Sequence, residues 1–317
     1  MVISKRSLGC CCVAALFVSP AVLANDAADL LQRMAQATEQ VSYKGAFVYE
    51  RSGSFSTHQV WHQADSKVVT ERLLQADGEP HEWVRRNGDV QCASSYSAGP
   101  VWDPAAQPAM SPERLEQWYS LETLGTTRVA DRPATVLAVK PRDNYRYAYE
   151  LYLDNETGLL LKSLLINERS TLLERFRFTN IAVTDVADAE LAPGAGCLQV
   201  GVTLKDDASK AESIEPSWLP PGFSGGEEDV RAYSVDESPV SSRVYTDGMA
   251  RFTVFVEPLG EEGLADDLRA QLGPTVAVSR KLSLNNGVFL ATVVGEIPPA
   301  AAERIAASFD QSVEAQQ

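Results

Sequence analysis

Two histidines, His58 and His62, have the residue type and spacing that most directly suggest chemistry. On a helix, a spacing of four residues would place both imidazoles on one face, where they could chelate a metal ion. The residues around them alternate between apolar and polar, however, which predicts a strand. On a strand the two side chains share a face but lie about 13 Å apart, because each residue rises about 3.3 Å. The pattern therefore predicts no shared metal ion.

Motifs of enzymes and cofactor-binding proteins are the next candidates. The segment HEWVR at 81–85 begins like the zinc-binding helix of a metalloprotease, but Arg85 stands where the second histidine would have to be. The chain also lacks a GxSxG nucleophile elbow, a P-loop and a GxGxxG dinucleotide motif. We therefore predict no catalytic residue, no metal and no cofactor, and a hydrolase is disfavoured.

The first part of the chain is rich in aromatic residues, for which two interpretations are open. Aromatic side chains usually fill the core between a sheet and its helices. On a strongly curved sheet they could instead line an apolar cleft that holds acyl chains or an apolar peptide. The candidate cleft residues are Phe47, Tyr49, Trp61, Trp118, Tyr147, Tyr149 and Phe176.

Residues 1–24 have the features of a secretory signal peptide. Lys5 and Arg6 precede an apolar run over 8–18, and small or aliphatic residues lead up to Ala24. The run is shorter than the roughly 20 residues that span a bilayer. The cysteines at 10–12 could indicate a lipid anchor, but they precede the end of the apolar run. We therefore expect cleavage after Ala24 and export from the cytoplasm.

Cysteine content and charge restrict the mature chain further. Cys92 and Cys197 are the cysteines that remain, and in an exported protein they indicate one disulfide, with two unpaired buried thiols as the alternative. The formal net charge is −15, and loss of the two basic residues of the leader lowers it to −17. This balance argues against nucleic acid or other polyanion partners and against electrostatic docking on anionic lipid, and it permits a basic peptide partner.

Hydrophobic periodicity predicts the elements that must position these residues. A helix is predicted over 26–40, and a β-hairpin over 45–50 and 55–61 with a turn at 51–54. A long Gly/Pro/Ala segment at 96–110 precedes a short helix that Ser111 caps and Pro112 begins. Further strands are predicted over 68–74, 81–86, 129–139, 145–153, 159–166, 172–183, 230–235, 242–246, 250–257, 275–282 and 287–295, and further helices over 265–272 and 299–309.

A change in composition divides the chain. Residues 187–216 are rich in Ala, Gly, Asp and Lys and poor in large apolar residues, as in a linker. We therefore predict a first domain over 25–190, a linker over 191–213 and a smaller second domain over 214–317. In the strand predicted over 145–153, alternation assigns Arg146, Ala148, Glu150 and Asp154 to the solvent face, and Tyr145, Tyr147, Tyr149, Leu151 and Leu153 to the buried face.

Six segments resemble the MucB/RseB family of periplasmic regulators of extracytoplasmic sigma factors (the sigma-E/AlgU type). They occur in order along nearly all of the chain after residue 25. They read YKGAFVYERSGSFSTHQVWH at 43–62, RLLQADGE at 72–79, VLAVKPRDNYRY at 136–147, ELYLDNETGLLLKSLL at 150–165, SWLPPGF at 217–223 and QLGPTVAVSRKL at 271–282.

The resemblance implies a fold and a function. The fold would be α+β: an N-terminal antiparallel half-barrel of the LolA/LolB type covered by helices, and a smaller C-terminal antiparallel α+β domain. The protein would bind the periplasmic domain of a membrane-spanning anti-sigma factor (MucA/RseA-like), shield it from the site-1 protease, and be released by lipopolysaccharide or another acyl-chain ligand. A homodimer is compatible with this role. The alternative is a periplasmic carrier of lipid or lipoprotein.

Within the second domain, we expect the partner peptide to add to a sheet edge. The strands predicted over 250–257 and 275–282 are short and alternate between apolar and polar residues. An exposed strand of this kind can pair with an extended peptide through main-chain hydrogen bonds.

Overall fold

The computed structural model describes residues 21–65, 68–79, 81–94, 112–199, 215–225, 230–235, 238–259, 267–284 and 287–314. The predicted signal peptide up to residue 20, the segment at 96–110 and the Ser111 cap lie outside these residues. No helix among the described residues is long and apolar enough to cross a membrane.

The first and larger sheet contains eleven strands among the described residues. Its neighbours pair antiparallel in the order β11-β5-β4-β3-β2-β1-β10-β9-β8-β7-β6. The strands are β1 (Tyr43–Arg51), β2 (Ser54–Asp65), β3 (Val68–Gln75), β4 (Glu82–Arg86), β5 (Asp89–Ala93), β6 (Tyr119–Val129), β7 (Arg132–Pro141), β8 (Ala148–Asp154), β9 (Leu160–Ile166), β10 (Leu172–Val183) and β11 (Leu198–Gln199).

The helices of the first part pack on this sheet. Helix α1 (Ala21–Gln40) lies against β6 and β2, as its apolar stripe predicts, and α2 (Pro112–Trp118) lies against α1 and β6. A short helix, α3 (Asp188–Leu191), lies against β2 and β3. The edge strand β6 returns to contact β10, although three strands separate them in the sheet. The sheet is therefore strongly curved, as a half-barrel requires.

The second sheet contains six strands among the described residues, in the order β12-β13-β14-β17-β16-β15. Helix α4 (Pro299–Glu314) packs on β16 and β17 and covers a core that includes Phe252, Val293 and Phe309. The predicted α+β class, with a larger and a smaller antiparallel sheet, is confirmed. The strands are β12 (Val230–Val235), β13 (Ser238–Thr246), β14 (Arg251–Pro258), β15 (Arg269–Leu272), β16 (Thr275–Leu284) and β17 (Gly287–Gly295).

The predicted hairpin at the start of the first sheet is confirmed. Arg51 pairs with Ser54, so the turn between β1 and β2 has two residues. Both of them, Ser52 and Gly53, have positive φ angles of 51° and 78°. A two-residue turn with left-handed backbone at both positions matches the right-handed twist of paired strands.

Three predictions of secondary structure are wrong. The strand expected over 129–139 is two strands, because Ala130 and Asp131 form a turn with positive φ between β6 and β7. The helix expected over 265–272 contains a strand instead, since β15 pairs with β16. The strand expected from residue 145 begins at Ala148, and the residues before it form a loop that reaches Asp247 in the turn between β13 and β14.

The expected solvent face of β8 is wrong at Arg146 and Asp154, and the expected peptide edge is wrong for β14. Arg146 and Asp154 are buried, because both carry ion pairs: Arg146 with Asp143 and Asp247, and Asp154 with Arg132. Of the strands expected to pair with a peptide, β14 lies between β13 and β17, and β16 lies between β17 and β15. The pairing of β15 with β16 covers residues 275–278 alone, so the main-chain groups of β14 and of that part of β16 are already paired.

Candidate functional site

The inner face of the first sheet carries a packed group of aromatic rings, which we call the aromatic cluster: Tyr43, Phe47, Phe176 and Phe178. These residues alternate along β1 and β10, and the pairing of Phe47 with Phe178 brings the two strands' rings together. The Phe47 and Phe176 centroids lie 4.9 Å apart with an interplanar angle of 61°, and those of Phe176 and Phe178 lie 5.1 Å apart. Such edge-on contacts add to the free energy of burial.

Tyr49 and Glu174 place a polar contact at the end of the aromatic cluster. Tyr49 lies opposite Phe176, and its hydroxyl donates a hydrogen bond of 2.5 Å to Glu174 Oε2. Burial and the negative charge of Glu296 raise the pKa of Glu174 to about 8, although the Tyr49 hydrogen bond and the charge of Arg51 act in the opposite direction. Glu174 therefore retains its proton at neutral pH.

Glu296 and Arg51 continue this group across the junction between the two sheets. Glu296 follows β17 of the second sheet, and its carboxylate lies 3.4 Å from Arg51 Nη2 at the end of β1. Burial raises the pKa of Glu296, and the charges of Arg51 and Arg251 oppose that shift. Arg51 also donates to the Thr275 hydroxyl at the start of β16. The tip of the β1–β2 hairpin therefore touches the second sheet through charged groups.

A second contact across the junction is a fully buried ion pair. Arg146, in the loop before β8, donates from Nε to Asp247 Oδ2 at 2.5 Å, and neither side chain is exposed. The other nitrogens of the guanidinium donate to Asp143 and to the carbonyl oxygen of Pro221. Asp247 also accepts from the Tyr119 hydroxyl at 2.9 Å. A buried ion pair with this many hydrogen bonds fixes two segments relative to each other.

Aromatic rings surround this ion pair. The Arg146 guanidinium carbon lies 4.9 Å from the Phe223 ring centroid and 5.5 Å from that of Trp118. Gly222 permits the approach of Trp118, because a Cβ at Gly222 would lie 2.3 Å from the indole nitrogen. Gly222 also has a φ of 90°, in the region that favours glycine.

The seven predicted cleft residues fall into three groups. Phe47, Tyr49 and Phe176 meet on the inner face of the first sheet and are buried. Trp118, Tyr147 and Tyr149 lie towards the junction: Trp118 contacts Arg146, while burial and the charge of Glu296 raise the pKa of both tyrosines. Trp61 lies on the opposite face, where the Arg72 guanidinium covers its ring.

The two histidines, His58 and His62, are buried on strand β2, and His62 contacts two polar groups. His62 Nδ1 lies 3.2 Å from Glu71 Oε2 and its Nε2 lies 3.0 Å from the Thr38 carbonyl oxygen. Burial alone would raise the pKa of Glu71, but the hydrogen bond with His62 and the charge of Arg85 lower it to about 2. Among the described residues, no group of three His, Cys, Asp or Glu side chains is placed to hold a metal ion.

The disulfide expected from the cysteine count joins Cys92 to Cys197, with Cα atoms 5.5 Å apart. Cys92 lies on β5, and β11 pairs with β5 directly after Cys197. The bridge therefore holds the returning chain against the far edge of the first sheet.

Sequence reasoning missed the charged residues of the junction. Glu174 offered a signal, since it lies in the same alternating row as Phe176 and Phe178, where a carboxylate must find a partner. Arg146 and Asp247 offered none, because their partners come from distant parts of the chain.

Comparisons with known proteins cover most of the chain. The MucB/RseB N-terminal domain family matches residues 26–195, and the MucB/RseB C-terminal domain family matches residues 208–310. The sigma factor AlgU regulatory protein MucB of Pseudomonas aeruginosa is 48% identical over 306 residues, covering 95% of this chain and 96% of that protein. The sigma-E factor regulatory protein RseB of Escherichia coli K12 is 28% identical over 287 residues, covering 87% and 88%.

Solved structures give the same result for the fold. The crystal structure of MucB in complex with MucA(peri) has a TM-score of 0.73 and 47% identity, covering 89% of this chain and 98% of that one. The complex structure of Pseudomonas aeruginosa MucA/MucB has a TM-score of 0.74, covering 89% and 97%.

Proposed function

The chain belongs to the MucB/RseB family, and we propose that it is a periplasmic regulator that binds the periplasmic segment of a membrane-spanning anti-sigma factor. The observation that carries this proposal is the likeness to MucB in its complex with MucA(peri), at 47% identity over 89% of the chain. That likeness includes both sheets. A carrier of lipid or lipoprotein would not need the second sheet, which favours the regulator.

Binding would protect the anti-sigma factor by masking. A site-1 protease must reach an extended segment of its substrate, and a regulator that covers this segment lowers the cleavable fraction by mass action. The sigma factor would then stay bound to its anti-sigma factor, so the protein acts as a negative regulator. Signal-peptide cleavage after Ala24 would deliver the protein to the compartment in which this segment lies. The role is one of binding, and we propose that the protein is not an enzyme.

Release requires a ligand that binds the free protein more tightly than the complex. We propose an acyl-chain ligand such as lipopolysaccharide. Phe47 and Phe176 are both buried, at 2% and 0% exposure, so a chain that inserts between them must displace packed rings. The junction between the sheets is the place where the cluster can open without breaking strand pairing, since it consists of side-chain contacts such as Arg51 with Glu296. A ligand that opens the junction would change the surface that the partner needs.

A protection assay tests this proposal. The mature chain, residues 25–317, would be titrated against the purified periplasmic segment of the anti-sigma factor, and cleavage by the site-1 protease would be followed over time. We expect saturable binding, slower cleavage, and recovery of cleavage when lipopolysaccharide is added. Binding without protection would remove the masking mechanism, and a complex unchanged by saturating lipopolysaccharide would remove the proposed signal. Absence of binding, with capture of a lipoprotein from periplasm instead, would favour the carrier. Sedimentation of the same sample tests for a homodimer.

A further inference from the structure

The outer face of the first sheet brings three cations together, which we call the cation row: Lys162, Arg175 and Arg177. Arg177 on β10 lies directly opposite Lys162 on β9. Arg175 is two residues before Arg177 and therefore points to the same face. Like charges directly opposite each other on paired strands destabilise the sheet. Their placement here, in a chain with a net charge of −15, needs a compensating interaction.

The protein itself supplies little compensation. Among the described residues, no carboxylate lies within ion-pair distance of Lys162 or Arg177, and the Lys162 ammonium instead lies 4.0 Å from the Tyr152 ring centroid. Arg175 has one carboxylate contact, with Glu50 at 3.4 Å, and its buried Nε has no hydrogen-bond partner. A buried N–H without an acceptor costs free energy, which an incoming anion would recover.

The charges of the row act on one another. Burial, together with the positive charges of Arg175 and Arg177, lowers the pKa of Lys162, and Glu150 opposes this shift. Tyr152 also faces this group, and its hydroxyl lies 3.2 Å from Glu150. The lysine therefore senses both arginines as repulsive neighbours, so an anion placed between them would favour its charged form.

We propose that the cation row is a binding site for a phosphate group. Two arginines offer planar pairs of N–H donors that match phosphate oxygens, and the lysine adds a further donor and charge. A phosphate dianion also offsets more of the repulsion than a single carboxylate does. The overall negative charge of the protein opposes non-specific attraction of polyanions. It does not cancel a local row in which, among the described residues, Arg175 alone has an ion-paired carboxylate.

The site is separate from the proposed acyl-chain site, because it lies on the face of the sheet opposite Phe47 and Phe176. The same face carries Phe55, a residue that is 62% exposed, on the strand beyond β1. Phosphate on an apolar chain and free phosphate share the chemistry that the cation row recognises. The aromatic side chains of Phe55 and Tyr152 lie on the same face, and they would contact an apolar chain that carries phosphate but not free phosphate.

The test titrates the mature chain with inorganic phosphate at constant ionic strength and follows binding by calorimetry. Replacing Arg177 by glutamine should weaken phosphate binding about tenfold, since a charged hydrogen bond is lost, and Lys162→Gln should do the same. Lys140→Gln is the matched control, because it removes one positive charge from an exposed ion pair on β7 and should leave affinity unchanged. Arg177 is exposed and lies opposite another cation, so its variant should keep the wild-type unfolding midpoint or raise it slightly.

A second readout and a second ligand complete the test. NMR titration of the Lys162 side chain should show its pKa rising when phosphate binds, and also in the Arg177→Gln variant without phosphate. Short-chain phosphatidic acid is the second ligand, with phosphatidylcholine of the same chain length as its control. If the acid alone binds more tightly than inorganic phosphate, the site takes the phosphate of a lipid headgroup. If the acid and inorganic phosphate bind with equal affinity, the site recognises the phosphate group without the acyl chains. Equal phosphate affinity of Arg177→Gln and Lys140→Gln, or no saturable binding, would overturn the proposal.

Discussion

Replacing Arg146 by methionine should destabilise the protein by about 3–5 kcal/mol, because it leaves a buried carboxylate without its counter-charge. The carboxylate is that of Asp247, which is 2.5 Å from Arg146 Nε and has no exposed side-chain surface. Asp247 would keep the hydrogen bonds from the Tyr119 hydroxyl and from the main-chain nitrogens of Met249 and Ala250. These remaining donors place the expected loss nearer to about 3 kcal/mol.

A double-mutant cycle isolates the pair. Asp247→Asn should also destabilise, since the amide presents an N–H group where two donors already point. The double variant should lose less than the two single variants together, by about 1–3 kcal/mol. Lys140→Met is the control: its ion pair with Glu122 has side chains that are 53% and 58% exposed, so its loss should stay below about 1 kcal/mol.

Urea unfolding followed by tryptophan fluorescence measures these differences. Trp118 lies over the Arg146 guanidinium and reports on the junction directly. We expect the midpoint of Arg146→Met to fall while the slope of free energy against urea stays constant. A loss equal to that of Lys140→Met, or strict additivity in the cycle, would refute the reasoning that the ion pair holds the junction.

Three further changes test other parts of the structure. Replacing Cys92 and Cys197 by serine opens a loop of 105 residues, for which chain entropy gives a loss of up to about 4.8 kcal/mol; calorimetry that finds no loss would contradict this. Gly222→Ala should cost at least about 1 kcal/mol through its positive φ and the contact with the Trp118 ring, while Gly196→Ala, with nothing within 4 Å, should cost less. Glu174→Gln should flatten the pH dependence of unfolding. The folded-state pKa is raised from 4.5 to about 8, so its contribution is complete below pH 4.5 and is lost as the pH rises towards 8, by at most about 1.4 kcal/mol per pH unit; an unchanged pH profile would contradict the shift.

Local patterns predicted the elements whose stabilising contacts are close in sequence. Helix α4 needs only the apolar stripe that packs on β16 and β17, and the β1–β2 hairpin needs only alternation and a two-residue turn. Phe47 and Phe176 were named as candidate cleft residues from the aromatic composition, and they share the inner face because β1 pairs with β10. Trp61 was named with them but lies on the opposite face, because composition does not record which face a residue takes. Its neighbours His58, Val60 and His62 in β2 show the buried face.

Elements whose own sequence pattern is overridden by a neighbouring strand or by a distant charge were not predicted. The residues of β15 (Arg269–Leu272) include helix-forming Ala, Gln and Leu, yet they form a strand because β16 offers a ladder of main-chain hydrogen bonds. Arg146 reads as a solvent-facing residue in an alternating run, and its partner Asp247 lies 101 residues away. Periodicity describes one element at a time, whereas burial of a charge is decided by the element that packs against it.

The two charged contacts at the junction should therefore respond to substitution with opposite sign. Asp247 accepts hydrogen bonds from an arginine, a tyrosine and two main-chain nitrogens, so every change at that contact removes a satisfied interaction. Glu174 lies near the carboxylate of Glu296, and burial raises the pKa of both groups while Arg51 opposes the shift. In the unfolded chain at pH 7 Glu174 gives up its proton, and folding must take it back. Glutamine keeps an oxygen that can accept from the Tyr49 hydroxyl and has no proton to recover. Glu174→Gln should thus raise the free energy of unfolding at pH 7 to 8, whereas Arg146→Met should lower it. Urea midpoints of the two variants at pH 7.5 measure both changes. Midpoints that shift in the same direction would contradict this distinction between the two contacts.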